Sequence, residues 1–271
     1  MFRLPIILTV CFTLGLVARP ASAQTNGTGV HASNGSTRRA GFLTGYRFHL
    51  DATRMISSED RRFTWDADIG ADIDLFDLSV ARGNLFANFE SILGEELRAV
   101  DPNQGNYTID LSLWWRLGRG ELGAIFHHVS RHLSDRGNPY GIAWNMLGLE
   151  YAQPMHLGRW SVDLGLRGFR TLQRSFVDYA GEAGAYGTIA RPIGGRRVAW
   201  ILGFEYIVVP VVDTPLSRDT LIGGRLETGV RIGGRAGAVE LYAARERRID
   251  AHPFDIHPIY WTQIGFRFVT R

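Results

Sequence analysis

The chain contains no lysine: its thirty basic residues are all arginine. Codon bias in a GC-rich genome produces such a set, and so does selection for a planar fork that pairs bidentately with carboxylates and lipid phosphates. Cysteine is almost as scarce. The single Cys11 lies inside an N-terminal apolar segment, so the rest of the chain has neither disulfides nor thiolate chemistry. Outside that segment no apolar run approaches the ~20 residues of a membrane-spanning helix, which excludes a helical membrane architecture. Positive charge is not concentrated anywhere, so the sequence carries no nucleic-acid footprint.

The N-terminus has the form of an export signal. Arg3 supplies the positive start, Leu4 to Val17 an apolar core too short to cross a bilayer, and Ala21-Ser22-Ala23 before Gln24 a small-residue cleavage site. Residues 1–23 are therefore read as a signal peptide. Cys11 lacks the small-residue context of a lipoprotein box. Residues 24–40, rich in Asn, Gly, Ser and Thr and ending in Arg38-Arg39, read as a flexible periplasmic leader. Without Arg3 and Arg19 the remaining twenty-eight arginines nearly balance the 27 acids.

What is abundant is alternation. Trp65, Ala67, Ile69, Ala71, Ile73 and Leu75 are apolar, and Asp66, Asp68, Gly70, Asp72 and Asp74 between them are carboxylates or glycine. A strand sends successive side chains to opposite faces, so this segment has one oily and one acidic face. The pattern recurs about twelve times, and lipid is the simplest solvent for so many oily faces. Strands are expected near 41–50, 64–75, 78–90, 107–117, 121–131, 142–153, 159–170, 176–190, 197–208, 221–232, 238–247 and 259–270. The even-to-odd links are short turns, among them Gly118-Arg119-Gly120 and Gly233 to Gly237. Most odd-to-even links are longer and polar, including 51–63, 91–106 and 248–258. Short periplasmic turns and longer external loops are the habit of outer-membrane barrels. Glycines within the alternations, such as Gly181, Gly229 and Gly265, suit the bending of a closed barrel. Tyr260, Ile264, Phe266 and Phe268 on the last strand are similar to the aromatic C-terminal signal read by barrel-assembly machinery.

The inward faces carry both signs, with acids crowding the early strands (Asp66, Asp68, Asp72, Asp74) and arginines the late ones (Arg225, Arg231, Arg267). These line a narrow aqueous channel or pair across the lumen and close it. Early and late strands meet on closure, which favours pairing.

The densest cluster of nucleophile and base types is Phe126-His127-His128-Val129-Ser130-Arg131-His132-Leu133-Ser134-Asp135, at the outer end of the fifth strand. His128, Ser130 and His132 alternate on one face with Cα atoms about 6.6 Å apart, within reach of a His to Ser hydrogen bond. On a strand His128 and His132 stand about 13 Å apart, too far to share one ion, and Val129 occupies the place of the Glu in an HExxH zinc helix. No metal or other cofactor is assigned.

Two resemblances arise at these residues. His128-x-Ser130-x-His132-Leu133-x-Asp135, followed by Leu147-Gly148-Leu149-Glu150-Tyr151, resembles the signature of an uncharacterised family of bacterial outer-membrane β-barrels, which implies location and fold but no activity. His128-x-Ser130 resembles the His-x-Ser element of the outer-membrane lipid A deacylases, with Arg131 where that family has Asn. This implies Ser130 as nucleophile and His128 as general base, with Asp135 or Glu150 as the orienting acid. The extended Ser-containing motif of the twelve-stranded phospholipase A barrels has no counterpart here. Three readings stand side by side: polar rim residues (His127, His128 and His132) touching lipopolysaccharide, an esterase site, or a metal site. Trp114-Trp115 and Trp160 read as interfacial girdles, and His252 to Pro258 as a rigid external loop.

The sequence thus specifies an all-β protein, a single closed antiparallel transmembrane β-barrel of about twelve strands over 41–271, in the bacterial outer membrane. Its expected partners are outer-membrane lipids, lipopolysaccharide and the assembly machinery. Two functions remain in play: a structural, binding or narrow-pore barrel, and a serine hydrolase acting on lipid A or phospholipid acyl esters.

Overall fold

The computed structural model describes residues 40–270 apart from 135–140, 196, 213–217, 253 and 254. The signal peptide and all but the last residue of the leader lie outside the described residues, as does Asp135. Twelve strands follow one another: β1 (Gly41–Met55), β2 (Trp65–Asp77), β3 (Ala81–Gly94), β4 (Asp101–Leu117), β5 (Gly120–Leu133), β6 (Ile142–Leu157), β7 (Trp160–Ser175), β8 (Gly181–Gly194), β9 (Val198–Val209), β10 (Leu221–Gly233), β11 (Gly237–Arg248) and β12 (Ile259–Thr270). Each pairs antiparallel with the next, and β12 returns to β1 from His49↔Val269 to Met55↔Gln263, closing the barrel. Closure gives every strand a neighbour on both sides, the condition for a sheet to stand in hydrocarbon, with residues 41–48 of β1 running past the end of β12.

Side-chain direction follows the alternation. Ile69 is 57% exposed on the outer face while Asp66 and Asp72 are buried inside. A slip of one residue would put four carboxylates of β2 on the apolar side at several kcal/mol in total, about 2 each. The outer surface is a continuous display of large apolar side chains, Leu50, Ile109, Leu149, Leu166, Leu226 and Phe268 among them. Short turns gather at one end, where Gly118 takes a left-handed φ of 60° that favours glycine, and the longer loops gather at the other.

Two segments depart from expectation. The external loop expected at 91–106 shrinks to 95–100, because β3 runs on to Gly94 and β4 begins at Asp101. The polar run that reads as a loop is a lumenal ladder: Asn106 Nδ2 donates to Glu90, and Gln104 Nε2 to the Ala251 carbonyl at 2.6 Å. Trp114 is not a girdle residue. It is buried in the lumen, with the Arg82 guanidinium 5.0 Å over its ring, and only Trp115 faces out.

The lumen is filled by paired charge. Arg248 meets Glu90, with Asp66 Oδ2 at 3.5 Å and Glu246 Oε1 at 3.4 Å. Arg267 holds Asp51 at 2.6 Å and Glu227 at 3.0 Å, and Arg167 holds Glu182 and Glu205 at 2.8 and 2.7 Å. Toward the loop end two apolar clusters complete the seal. One gathers Val129, Trp144, Met146, Tyr179 and Ile207; the other gathers Met55, Phe63, Ile92 and Trp261. Above them Arg218 bridges Asp178 and Asp250, each at 2.6 Å, and Tyr179 donates to Asp250 at 2.7 Å. Space remains at the short-turn end, in a cavity of about 610 Å³ lined by Arg47, Arg197 and Arg231 among others.

Two outcomes follow from this packing. Replacing Arg248 with Ala leaves Glu90, Asp66 and Glu246 buried without their cation and should cost about 3–5 kcal/mol in denaturant unfolding from micelles, with Glu90→Gln restoring part of the loss. Wild-type protein inserted into planar bilayers should give no steady conductance; a stable ohmic pore would show that the seal is not closed.

Candidate active site

The fifth strand sorts its side chains by parity. Glu121, Ile125, His127, Val129 and Arg131 turn into the lumen, and Leu122, Ala124, Phe126, His128, Ser130 and His132 turn outward. His127 therefore leaves the rim cluster in which the sequence placed it: its Nδ1 lies 2.7 Å from Asp110 Oδ1 inside the barrel. His128 and Ser130 share the outer face at the loop end of the strand.

Their partners differ from those expected. Glu150 stands opposite Gly123, five residues toward the short-turn end from His128, and points into the lumen, where Tyr186 donates to it. It is not brought together with His128. The residue opposite His128 is Asn145 on β6, and His128 Nδ1 lies 2.6 Å from Asn145 Oδ1. Asn145 Nδ2 donates in turn to Gln173 Oε1 on β7 at 3.2 Å. With the amide in this orientation its oxygen faces the imidazole, an arrangement in which Nδ1 carries the proton and Nε2 is left as an acceptor. Sequence reasoning missed Asn145 and Gln173. One signal was present: Asn145 is one of two amides, with Gln153 near the other end, in the outward series of β6 (Ala143, Asn145, Leu147, Leu149, Tyr151, Gln153), where apolar residues are the rule.

Ser130 rests against the other neighbour, its Oγ 3.0 Å from His132 Nε2, and the Tyr107 ring stands edge-on to His132 at 5.4 Å. Both histidines lie two residues from the serine along the strand, so a turn between staggered χ1 wells carries the hydroxyl from one imidazole toward the other. Across the sheet Ser130 faces Tyr107 on β4 and the small Ala143 on β6, which leaves its outer side open. Toward the short-turn end the outer surface becomes hydrocarbon-like, with Ile109, Phe126, Leu147 and Leu149 exposed. The serine thus stands where a polar rim meets an apolar band of the outer wall.

Asp66, Asp68 and Glu90 bring carboxylate oxygens within 4.8 Å of one another. The guanidinium of Arg248 already reaches two of them, so the group is an ion-pair cluster with its own cation.

No protein-family model matches the sequence, and no curated protein matches it. Solved structures do. The chain resembles the outer membrane phospholipase of Salmonella typhi, with bound calcium, at 12% identity over 83% of this chain and 90% of that one, with a TM-score of 0.51. Escherichia coli outer membrane phospholipase A matches at 13% identity over 85% and 98%, TM-score 0.52. An active-site variant of it, an asparagine replaced by alanine, matches at 13% over 88% and 93%, TM-score 0.51. An outer membrane channel from Pseudomonas putida F1 matches at 12% over 83% and 93%, TM-score 0.53. At such identities the likeness is one of fold. Closed, antiparallel and apolar on its outer face, this protein is an integral outer-membrane β-barrel.

The His128–Asn145 bond makes a spectroscopic prediction. In ¹⁵N spectra of folded protein, His128 should occupy the Nδ1–H tautomer, and Asn145→Ala should mix the two tautomers. An unchanged spectrum in that variant would remove Asn145 from the orienting role.

Proposed function

We propose that this barrel is a serine hydrolase that cleaves acyl esters of outer-leaflet lipids, with Ser130 as nucleophile, His128 as general base and Asn145 as the group that orients His128. The observation that carries the reading is the chain of contacts His128–Asn145–Gln173 on an outward-facing wall, with His128 two residues along the same face from Ser130, whose hydroxyl rests on His132. Serine is a weak nucleophile until a neighbouring base takes its proton, and that base works when a third group fixes its tautomer and direction. Asn145 supplies that group, in place of the acid that the lipid A deacylase resemblance implied. The neighbours support it from a second side: two are phospholipases, and in one an asparagine is an active-site residue.

The reaction divides into two steps. Ser130 Oγ adds to the ester carbonyl as its proton passes to His128 Nε2, and the lipid alcohol leaves with that proton. Water, deprotonated by the same nitrogen, then releases the fatty acid and restores the serine. The sealed lumen supports the outer wall as the working surface. The exposed apolar side chains beside Ser130 give acyl chains a place to lie without leaving the membrane.

Fatty-acid release from phospholipid and from lipid A in mixed micelles tests the proposal. Folded wild type should be active; Ser130→Ala and His128→Ala should each lose at least about 10³-fold, Asn145→Ala about 10–10²-fold, and His132→Ala little. Activity that survives both Ser130→Ala and His128→Ala, or that is absent from folded wild type across these lipids, defeats the proposal. Loss in His132→Ala with retention in His128→Ala would move the base to His132.

A further inference from the structure

The arginines divide by face. In the lumen Arg82, Arg167, Arg225, Arg248 and Arg267 each meet a carboxylate, so their charge is balanced within the protein. On the outer face at the loop end, Arg54 of β1 and Arg245 and Arg247 of β11 are different. Among the described residues none of the three has a carboxylate within salt-bridge distance.

All three are grouped around the outer end of β12. Arg54 stands opposite Ile264, Arg245 opposite Thr262 and Arg247 opposite Tyr260, so they flank one strand from both sides, with the Cα of Arg54 about 12 Å from that of Arg245 and about 16 Å from that of Arg247. Their orientation is fixed by neutral groups. Arg245 Nη1 donates to Thr262 Oγ1 at 2.6 Å and Arg247 Nε to Tyr260 Oη at 3.0 Å. Both guanidinium carbons lie 5.8 Å over the Tyr260 ring, whereas that of Arg54 lies 5.6 Å over Trp65 on β2, the other neighbour of β1. Arg54 also borders a surface recess that carries Glu59, Asp60, Arg61 and Glu95. Each guanidinium keeps unused N–H donors. Toward the short-turn end the same wall is apolar at once, with Ile264 (55%), Phe266 (37%), Leu241 (52%) and Leu226 (50%) exposed.

Two forked cations ordered on one tyrosine, with a third further along the rim and all beside an acyl-chain surface, ask for one kind of occupant: an amphiphile whose headgroup carries phosphate and whose chains run down the wall. We propose that Arg54, Arg245 and Arg247, with Tyr260 and Thr262, form a binding site for the phosphorylated headgroup of an outer-leaflet lipid of the lipopolysaccharide type. It is separate from Ser130, because β5 and β11 lie six strands apart in a ring of twelve, on opposite sides of the barrel. The site holds a resident lipid, not a substrate.

Binding of deep-rough lipopolysaccharide to the full-length folded protein in detergent, followed by native mass spectrometry, tests this. The same lipid after phosphatase treatment forms a second arm and inorganic phosphate as competitor a third. Wild type should bind the phosphorylated lipid, and R54Q/R245Q/R247Q should bind on the order of a hundredfold more weakly. Dephosphorylated lipid should bind wild type as weakly as the intact lipid binds the triple variant, and millimolar phosphate should not displace the lipid. R191Q, which removes an arginine stacked on Trp160 at the other rim, should bind like wild type. Wild-type affinity should also fall as salt rises, a readout that needs no variant to fold. Undiminished binding by the triple variant, equal binding of dephosphorylated lipid, salt-independent affinity or displacement by free phosphate would each overturn the proposal.

Discussion

The pairing of charge across the closing seam is the interaction on which the rest of the structure depends. β1 and β2 contribute acids, β11 and β12 arginines, and the two sets meet only when the chain closes on itself: Arg267 with Asp51 and Arg248 with Asp66. The arginines also meet Glu227, Glu240 and Glu246 of their own half, whereas Asp51 and Asp66 lose their cations if the seam opens, and an unpaired buried charge is far costlier than a paired one. The lipid outside forbids an open edge, and the charges inside allow closure in one register. At the seam the fit is close enough that a Cβ on Gly265 would sit 2.8 Å from Thr53 Oγ1 and 2.9 Å from Tyr242 Oη, the hydroxyls that surround Asp51.

A lumen filled in this way leaves the outer wall as the surface open to a ligand. Backbone and interior hold it rigid, so an outward side chain inherits a fixed position, and neighbours on adjacent strands are held about 5 Å apart without loops to order them. Polar groups on such a wall are tolerable only near the rim, where the cost of placing them falls toward about 0–1 kcal/mol. Among the described residues the outer face at its loop end carries two sets of contacting polar side chains, the His128–Asn145 cluster and Arg245 and Arg247 around Tyr260, besides single ones such as Arg170, and the two sets lie on opposite sides of the barrel. Each is a set of side chains that contact one another, as expected of groups shaped for a purpose and not of scattered polar substitutions.

Much of the fold was legible in the sequence, because an alternation with period two is a local property. The strand from Trp65 and the parity of turns and loops needed no tertiary knowledge. The ends of β3 and β4 were misread for a physical reason: a lumen-facing polar ladder such as Gln104, Asn106 and Thr108 has the composition of a loop. The site was half legible. His128-x-Ser130 and its outward face follow from spacing along one strand, but the orienting residue comes from the next strand, and register between strands is not written in either one alone. Glu150 was attractive as an acid in the right strand; parity sends it to the lumen, and Asn145, which shares the outer face, carries no charge to draw attention. His127 was misplaced in the same way, one residue from the site and on the wrong side of the wall.

The central claim is that Ser130 is an activated nucleophile facing the membrane. Its most direct test is covalent: folded protein in micelles is treated with a long-chain fluorophosphonate and the adduct is mapped by peptide mass spectrometry. The account predicts a single adduct on Ser130, lost in His128→Ala. No labelling of Ser130 in folded protein, or labelling that is indifferent to His128, would contradict it.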